Sequence, residues 1–220
     1  MATGIVNIWK DDPATIAASY HRLADAYPGR FLLGIGAGHP EASSQYTRPY
    51  DALVDYLDAL DAADVPLSQR ALAALGPKVL RLAAERTAAA HPYLVTPEHT
   101  RLARNLLGTD VLLAPEQHVV LDADQARARD LARNSLSRYL KLTNYTANWR
   151  RLGFTDNDIA GAGSDRLVDG LIALGDAQQV AARVTDHLDA GADHVCIQLI
   201  APAGADPLPG LTELAGLLLN

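Results

Sequence analysis

The order of secondary-structure elements constrains the fold of this chain more than any other feature. Short apolar runs alternate with longer segments of helical spacing almost from end to end. Such alternation is typical of a parallel sheet whose strands are joined by crossover helices. We count about six predicted strands, close to the eight of a closed (β/α) barrel. The sequence therefore predicts an α/β fold, and the predicted strands are residues 5–9, 31–36, 71–75, 92–95, part of 111–121, and 194–200.

One predicted strand runs directly into a glycine-rich loop. Residues 31–38 read Phe-Leu-Leu-Gly-Ile-Gly-Ala-Gly and are followed by His39. Glycines at the carboxyl end of a strand let the backbone approach a flat or phosphorylated ligand. The glycine spacing is not that of a dinucleotide fingerprint, so a nicotinamide site is not expected. His39 could donate or accept a proton near neutral pH, although a histidine here is also common as an ordinary loop residue.

A second junction indicates an anion site. Gly76, Pro77 and Lys78 place a glycine turn, a helix-starting proline and a cation where free backbone N–H groups and the helix dipole would meet a phosphate. The same Gly-Pro pair also starts a helix cleanly without any ligand. Spacing alone does not separate these two interpretations.

Composition excludes several classes of function. The chain has 220 residues and a formal net charge of -7 without clustered basic residues, so we expect no nucleic-acid partner and no membrane partner. No apolar run approaches the roughly 18 residues of a membrane span. A single cysteine, Cys196, cannot build a disulfide framework or a cysteine-based zinc site within one chain, and a cytoplasmic location is expected. Neither a P-loop nor a Gly-x-Ser-x-Gly elbow occurs.

Histidines are the remaining candidates for metal ligands. His91, His99 and His118 have no mutual spacing typical of a metal triad. Glu98 and Glu116 beside them could as well be solvated surface residues. We therefore predict no metal site.

One segment interrupts the alternation of strands and helices. Residues 143–165 contain Trp149, Arg150 and Arg151 and then a turn-rich stretch, which is typical of an insertion or lid. These side chains could cover a ligand, although a tryptophan that anchors such a segment to the fold is the more common arrangement. Nothing in the composition requires a second domain, so residues 1–220 are predicted to form one domain.

Four segments together resemble the bacterial-luciferase-like superfamily of TIM-barrel oxidoreductases, in particular its branch that uses the deazaflavin coenzyme F-420. They are residues 3–9, 30–38, 72–78 and 175–195, and the last resembles the closing helix and strand of the superfamily. The likeness covers essentially the whole chain. It implies a TIM (β/α)8-type barrel that is shortened at its N-terminus to about six parallel strands, because the first two barrel strands have no counterpart.

The resemblance also implies a set of site residues. A non-prolyl cis peptide bond is implied at Gly4–Ile5, behind the coenzyme ring, and Thr96 and Gln198 match positions that face the substrate. By strand alternation Gln198 faces the same side as Cys196. The coenzyme site matches Thr3, Gly4, Ile5, Asn7, Ala37, Gly38, Leu75, Gly76, Pro77 and Lys78.

The family chemistry implied is hydride transfer between a small alcohol or carbonyl compound and the deazaflavin ring, with His39 moving the accompanying proton. Sugar-phosphate dehydrogenases of the branch carry a glutamate at this place, so a different substrate is expected. Two alternatives stay open: an FMN-dependent monooxygenase, and a non-catalytic flavin-binding or interaction protein derived from such an enzyme. Unpaired strand edges at the gap left by the missing strands lead us to expect a homodimer.

Overall fold

The computed structural model describes residues 1–39 and 48–219. The strands are β1 (Val6–Asn7), β2 (Leu33–Gly36), β3 (Arg70–Leu72), β4 (Ala89–Ala90), β5 (Leu112–Leu113), β6 (Glu116–Leu121), β7 (Ile172–Gly175) and β8 (Cys196–Leu199). The helices are α1 (Pro13–Ala26), α2 (Pro49–Ala62), α3 (Pro77–Arg86), α4 (Pro97–Leu107), α5 (Gln125–Leu136), α6 (Thr143–Arg151), α7 (Asp156–Ile159), α8 (Asp165–Leu171), α9 (Ala177–Asp189) and α10 (Leu208–Leu218).

The strands form two sheets, and every strand pair in the described residues is parallel. Five strands follow one another in the order β1-β2-β3-β4-β5, and three form a second sheet in the order β7-β6-β8. Parallel neighbours need a crossover, which the helices between the strands supply. The predicted α/β architecture with parallel strands is therefore confirmed.

Two compact units divide the chain. Unit 1 comprises Met1–Pro92 and Asn105–Leu113 and contains the five-stranded sheet. Unit 2 comprises Tyr93–Arg104 and the chain from Ala114 onward, and it contains the three-stranded sheet. None of the helices in residues 1–39 and 48–219 combines the length and apolar character needed to cross a bilayer.

In unit 1 the buried strand β2 organises the sheet. Leu33 and Ile35 are almost fully buried, and they lie opposite Arg70 and Leu72 of β3 in the strand register. Arg70 is itself buried; its guanidinium contacts Asp61 at 2.7 Å and donates to the Val65 carbonyl. This ion pair explains how a charged residue can occupy a strand that is otherwise apolar.

In unit 2 strand β6 is central and pairs with β7 on one side and β8 on the other. Its apolar residue Val119 belongs to a core cluster with Ala173 of β7, Val180 of α9 and Leu214 of α10. Helix α9 begins with a capping box in which Asp176 and Gln179 satisfy each other's backbone N–H groups. This capping fixes the start of the helix that covers the second sheet.

The structure differs from the sequence-based strand assignment at three places. Residues 92–95 do not form a strand: β4 lies earlier, at Ala89–Ala90, because Pro92 cannot donate to a ladder and Leu94 has a positive φ of 51°. The extended run 111–121 is divided at Pro115 into β5 and β6. Strand β7 was not expected, because its apolar residues continue the helical spacing of α8. These changes bring the described strands to eight.

Candidate functional site

The carboxyl ends of β1, β2 and β3 meet at one edge of the sheet in unit 1. The strands are parallel neighbours, so the loops that follow Asn7, Gly36 and Leu72 leave the sheet on the same side. Backbone hydrogen bonds continue the pairing past the strands: Ile8 N–H donates to Gly36 O at 3.2 Å, and Ala73 N–H donates to Ile35 O at 2.8 Å. Backbone, rather than side chains, therefore forms much of this edge.

The segment before β1 contains the cis peptide bond that the resemblance implied. It joins Gly4 and Ile5, as expected. The hydroxyl of Thr3 accepts from Gly34 N–H at 2.8 Å and donates to Gly34 O at 3.0 Å. A Cβ on Gly34 would overlap with the Thr3 carbonyl oxygen. Glycine is therefore required at position 34 because the backbone of Thr3 packs against it. The sequence had instead suggested that the glycines of this strand let the backbone approach a ligand.

The loops after β1 and β2 hold each other through side-chain hydrogen bonds. Trp9 donates its indole N–H to Ala37 O at 2.6 Å, and its backbone N–H to Asn7 Oδ1 at 3.0 Å. Gly38 adopts a left-handed conformation with φ +61°, and a Cβ there would lie 2.6 Å from Asn7 Nδ2. Only glycine fits this turn without displacing the Asn7 amide.

The third loop leads into the N-terminus of α3. Gly76 is the N-cap in extended conformation, Pro77 occupies the first helical position, and no side chain caps the helix within the described residues. Such an end presents backbone N–H groups to an anion. Lys78 places its ammonium 3.5 Å from the centre of the Tyr50 ring, a cation–π contact that positions the charge.

The remaining predicted residues divide between the two units. His39 follows β2 and is half-buried, and the chain immediately after it, residues 40–47, lies outside the described residues. In unit 2, Thr96 precedes α4, and its hydroxyl accepts from His99 N–H at 3.2 Å. Gln198 is exposed on β8 and accepts from the Tyr93 hydroxyl at 2.6 Å.

Unit 2 also contains a buried pair of ionisable residues on β6. His118 Nδ1 lies 2.7 Å from Glu116 Oε1, and the two side chains are only 1% and 5% exposed. Glu116 Oε2 accepts from Leu94 N–H at 3.3 Å. The interpretation of Glu116 as a solvated residue is therefore wrong. The position of Glu116 in the strand is the signal that could have indicated its burial. Residues 116 and 118 share one face of a strand that is buried on both sides.

Two tyrosines contact the imidazole of His118, and a third packs against them. The Tyr93 ring lies edge-on at 5.3 Å between centroids, Tyr139 lies at 6.1 Å, and Tyr145 contacts Tyr139 at 5.1 Å. Burial, followed by the negative charge of Glu116, raises the pKa of Tyr93. Burial likewise raises the pKa of Tyr145. These phenols therefore stay protonated and act as neutral hydrogen-bonding groups.

A second buried histidine in unit 2 is fully hydrogen-bonded. His187 Nε2 lies 2.8 Å from Gln117 Oε1, and its Nδ1 lies 2.8 Å from the Thr100 hydroxyl. The amide nitrogen of Gln117 donates to His118 O and Leu171 O, so its oxygen faces His187 as an acceptor. His187 is therefore neutral with its proton on Nε2. Burial, with the charges of Arg183 and His99, lowers its pKa to about 4.

A comparison with protein families decides the family. The family model described as luciferase-like monooxygenase matches residues 1–194. The chain belongs to this family. The resemblance stated from the four sequence segments is therefore confirmed.

Solved structures similar to this luciferase-like protein support the fold. An F-420-dependent secondary alcohol dehydrogenase, in complex with an F-420–acetone adduct, is 16% identical with a TM-score of 0.71, over 99% of this chain and 77% of that one. The F-420-dependent tetrahydromethanopterin reductase from Methanopyrus kandleri is 15% identical with a TM-score of 0.63, over 98% and 80%.

A third similar structure carries a different coenzyme. It is the oxygenating constituent of 3,6-diketocamphane monooxygenase from Pseudomonas putida, in complex with FMN, 19% identical with a TM-score of 0.65, over 97% of this chain and 77% of that one. None of the curated proteins compared with this luciferase-like chain matches it. At these identities the three structures establish the fold of the protein.

Proposed function

We propose that this luciferase-like protein binds the deazaflavin coenzyme F-420 at the strand ends of unit 1 and transfers hydride between that coenzyme and a small alcohol or carbonyl compound. One observation carries the proposal: three parallel strand ends leave the sheet at a common edge lined by backbone, and the third loop leads to a helix N-terminus that no side chain of the described residues caps. Such an edge suits a flat ring with an anionic tail.

Two features of this edge support coenzyme binding there. Gly38 leaves space that a Cβ would fill against Asn7, and Gly76 with Pro77 opens α3 toward an anion. In our proposal Thr3, Gly4, Ile5, Asn7, Ala37 and Gly38 lie along the ring and its linker, while Leu75, Gly76, Pro77 and Lys78 hold the phosphate. A bound deazaflavin accepts or donates hydride.

His39 is proposed to move the proton that accompanies hydride transfer, because it directly follows the strand end at Gly36 and histidine titrates near neutrality. Thr96 and Gln198 of unit 2 are proposed as substrate contacts. A His39→Gln variant should then lose about 10²- to 10⁴-fold in kcat, the usual contribution of a general acid or base. Its coenzyme dissociation constant should stay unchanged, and a parallel loss of coenzyme binding would contradict the proton-transfer role.

The choice of F-420 is supported by two of the similar structures, whose descriptions name that coenzyme. FMN is the second candidate, because a structure of similar TM-score contains it. The two candidates predict different chemistry. A flavin monooxygenase consumes oxygen, whereas a deazaflavin dehydrogenase exchanges hydride with its substrate and needs no oxygen.

The test is a fluorescence titration of the purified protein with each coenzyme. We expect saturable binding of F-420 at micromolar concentration, followed by reduction of the bound coenzyme with a panel of secondary alcohols. Saturation by FMN, with oxygen uptake in the presence of a reductant, would favour the monooxygenase. Binding of neither coenzyme would favour a non-catalytic member of the family.

Two glycines that flank β2 give a matched pair of variants for this titration. Gly29 and Gly38 both have a positive φ, +69° and +61°, so alanine imposes a similar backbone cost at each. Only at Gly38 would the new Cβ meet another residue. We expect Gly38→Ala to weaken coenzyme binding and Gly29→Ala to leave it intact. Equal loss of coenzyme affinity in both variants would show that Gly38 is not part of the coenzyme site.

We also propose that the protein is a homodimer. Strand β1 is an edge of the sheet in unit 1, and β8 is an edge of the sheet in unit 2. An open edge presents backbone groups that another chain can pair with or cover. Light scattering should give twice the mass of the chain at micromolar concentration. A concentration-independent monomer would contradict the proposal.

We propose a cytoplasmic location because Cys196 is a free thiol, which is compatible with a reducing compartment. Fractionation of cells that express the tagged protein should recover it with cytoplasmic markers. Recovery outside the cytoplasm would contradict this proposal.

A further inference from the structure

The buried imidazole of His118 has an unused hydrogen-bonding atom. His118 is 1% exposed, and its Nε2 has no hydrogen-bond partner within residues 1–39 and 48–219. Roughly 90% or more of buried polar groups in proteins have a partner, and leaving one without costs about 1–3 kcal/mol. An atom of this kind on a strand of the second sheet therefore indicates a position for a hydrogen-bond donor that none of the described residues supplies.

Glu116 determines what this atom can do. Its Oε1 lies 2.7 Å from His118 Nδ1, although the ring N–H does not point straight at it, so the contact is electrostatic rather than a linear hydrogen bond. A carboxylate at this distance favours the tautomer that carries its proton on Nδ1. Nε2 then has a bare lone pair and accepts a hydrogen bond.

Aromatic side chains supply the rest of the surroundings. The rings of Tyr93 and Tyr139 both stand edge-on to the imidazole, at interplanar angles of 85° and 79°. Tyr93 is half-buried and donates its hydroxyl to the exposed Gln198, which lies opposite His118 in the strand register. A molecule that reaches Nε2 would therefore meet the ring carbons of these tyrosines.

We propose that unit 2 contains a binding site for a small neutral alcohol, whose hydroxyl donates to His118 Nε2 while Glu116 holds the opposite side of the ring. The bare lone pair selects a hydroxyl over a carbonyl, because a ketone oxygen cannot donate. The tyrosine rings select an apolar body over a charged one. Movement of the half-exposed Tyr93 side chain admits the ligand. This inference rests on the proposed function, for which it names the part of the substrate that is recognised.

The decisive experiment uses coenzyme-free protein labelled with ¹⁵N in its histidine rings. The probes are cyclohexanol and its matched ketone, cyclohexanone. We expect cyclohexanol to shift the Nε2 resonance of His118 in a saturable manner, with a dissociation constant at least about threefold lower than that of the ketone, the effect of one hydrogen bond. His194, an exposed residue of the same unit, serves as internal control and should not respond.

Three outcomes would overturn the inference. They are the absence of a saturable shift at His118, equal affinity for alcohol and ketone, and a trapped water on Nε2 that no alcohol displaces. None of these depends on the coenzyme, so a protein that binds F-420 without binding cyclohexanol refutes this site alone. A protein that binds cyclohexanol but neither coenzyme refutes the proposed function and leaves the site intact.

Two variants separate binding from packing. His118→Phe, which keeps a ring but has no hydrogen-bond acceptor, should weaken cyclohexanol binding about three- to tenfold. If that variant does not fold, Glu116→Gln, which keeps the shape, gives the second test. Without the carboxylate the Nδ1–H tautomer is no longer favoured, so the preference for alcohol over ketone should decrease. A purely structural role for Glu116 would change stability without changing that preference.

Discussion

The two units of this protein present polar groups in opposite ways. In unit 1 the loops that follow the strands contain the glycines Gly38 and Gly76, which add no side chain at the sheet edge. The side chains of Thr3 and Asn7 hydrogen-bond to the backbone of Gly34 and Trp9. Unit 2 instead buries ionisable side chains, Glu116 and His118, within a strand.

This contrast indicates which kind of chemistry each unit can support. A backbone-lined edge recognises a flat or anionic group by shape and dipole. A buried carboxylate and imidazole can hold or move a proton, but the fold must supply their hydrogen-bond partners. The predictions below test this division, beginning with the change that should have the largest effect.

Gly34→Ala should cause the largest loss of stability. The new methyl group would overlap with the Thr3 carbonyl oxygen, which is backbone and cannot move without separating the first segment from β2. We expect a loss of at least about 3 kcal/mol in the free energy of unfolding, measured by urea denaturation. Gly216→Ala is the control, because its Cβ on α10 meets nothing within 4 Å. A Gly34→Ala protein as stable as this control would contradict the close packing.

Acidification should destabilise unit 2 through His187. Its pKa is about 4 in the folded protein against 6.5 ordinarily, so between these values the unfolded chain binds more protons than the folded one. Stability therefore falls as pH falls from 6.5 to 4, by about 3 kcal/mol, and this residue adds no further loss below that range. NMR titration of the ring together with urea midpoints at each pH measures both quantities. Protonation of His187 near 6.5 would disprove the neutral hydrogen-bonded state.

Thr3→Val should lower the free energy of unfolding of unit 1 by about 1–3 kcal/mol, even without coenzyme. The substitution removes the hydroxyl that hydrogen-bonds to both the N–H and the carbonyl of Gly34. Thr185→Val on the exposed side of α9 is the matched control, with an expected change within about 0.5 kcal/mol. If Thr3→Val leaves the stability of the free protein unchanged but weakens coenzyme binding, Thr3 acts by direct contact with the coenzyme. Its hydrogen bonds to Gly34 then contribute little to stability.

The smallest expected effect concerns Cys196. Burial, and then the charge of Glu116, raises the pKa of its thiol, so it should react slowly with a disulfide reagent at pH 8. Glu116→Gln should accelerate the reaction by less than about tenfold, because only the second cause is removed. An unchanged rate would mean that Glu116 does not contribute to the raised pKa of the thiol.

How far the sequence predicted the molecule depends on the same contrast. Glycines and a Gly-Pro pair are local signals, so the strand end at Gly36 and the helix start at Pro77 were predicted from sequence. The cis bond at Gly4–Ile5 was implied only by the resemblance to the family. The actual partner of Gly34 was not predicted, because the close approach of Thr3 is a contact between positions far apart in the chain.

The site in unit 2 could not be predicted in the same way. Glu116 and His118 differ from surface residues only through burial, which depends on strands that are distant in sequence, such as β7 and β8. Strand β7 itself was missed because Ile172 continues the apolar spacing of α8. Tertiary pairing, rather than local preference, decided both the strand and the environment of the pair.

Leu94 links two parts of unit 2 through a single residue. Its carbonyl accepts the indole N–H of Trp149 at 3.2 Å, while its own N–H donates to the Glu116 carboxylate at 3.3 Å. A shift of helix α6, which carries Trp149, would therefore be transmitted through the backbone of one residue to the carboxylate and alter its orientation toward the imidazole. The segment expected from sequence to be an insertion or lid is thus mechanically coupled to the Glu116–His118 pair, and substitutions on α6 should change the distance between the two side chains.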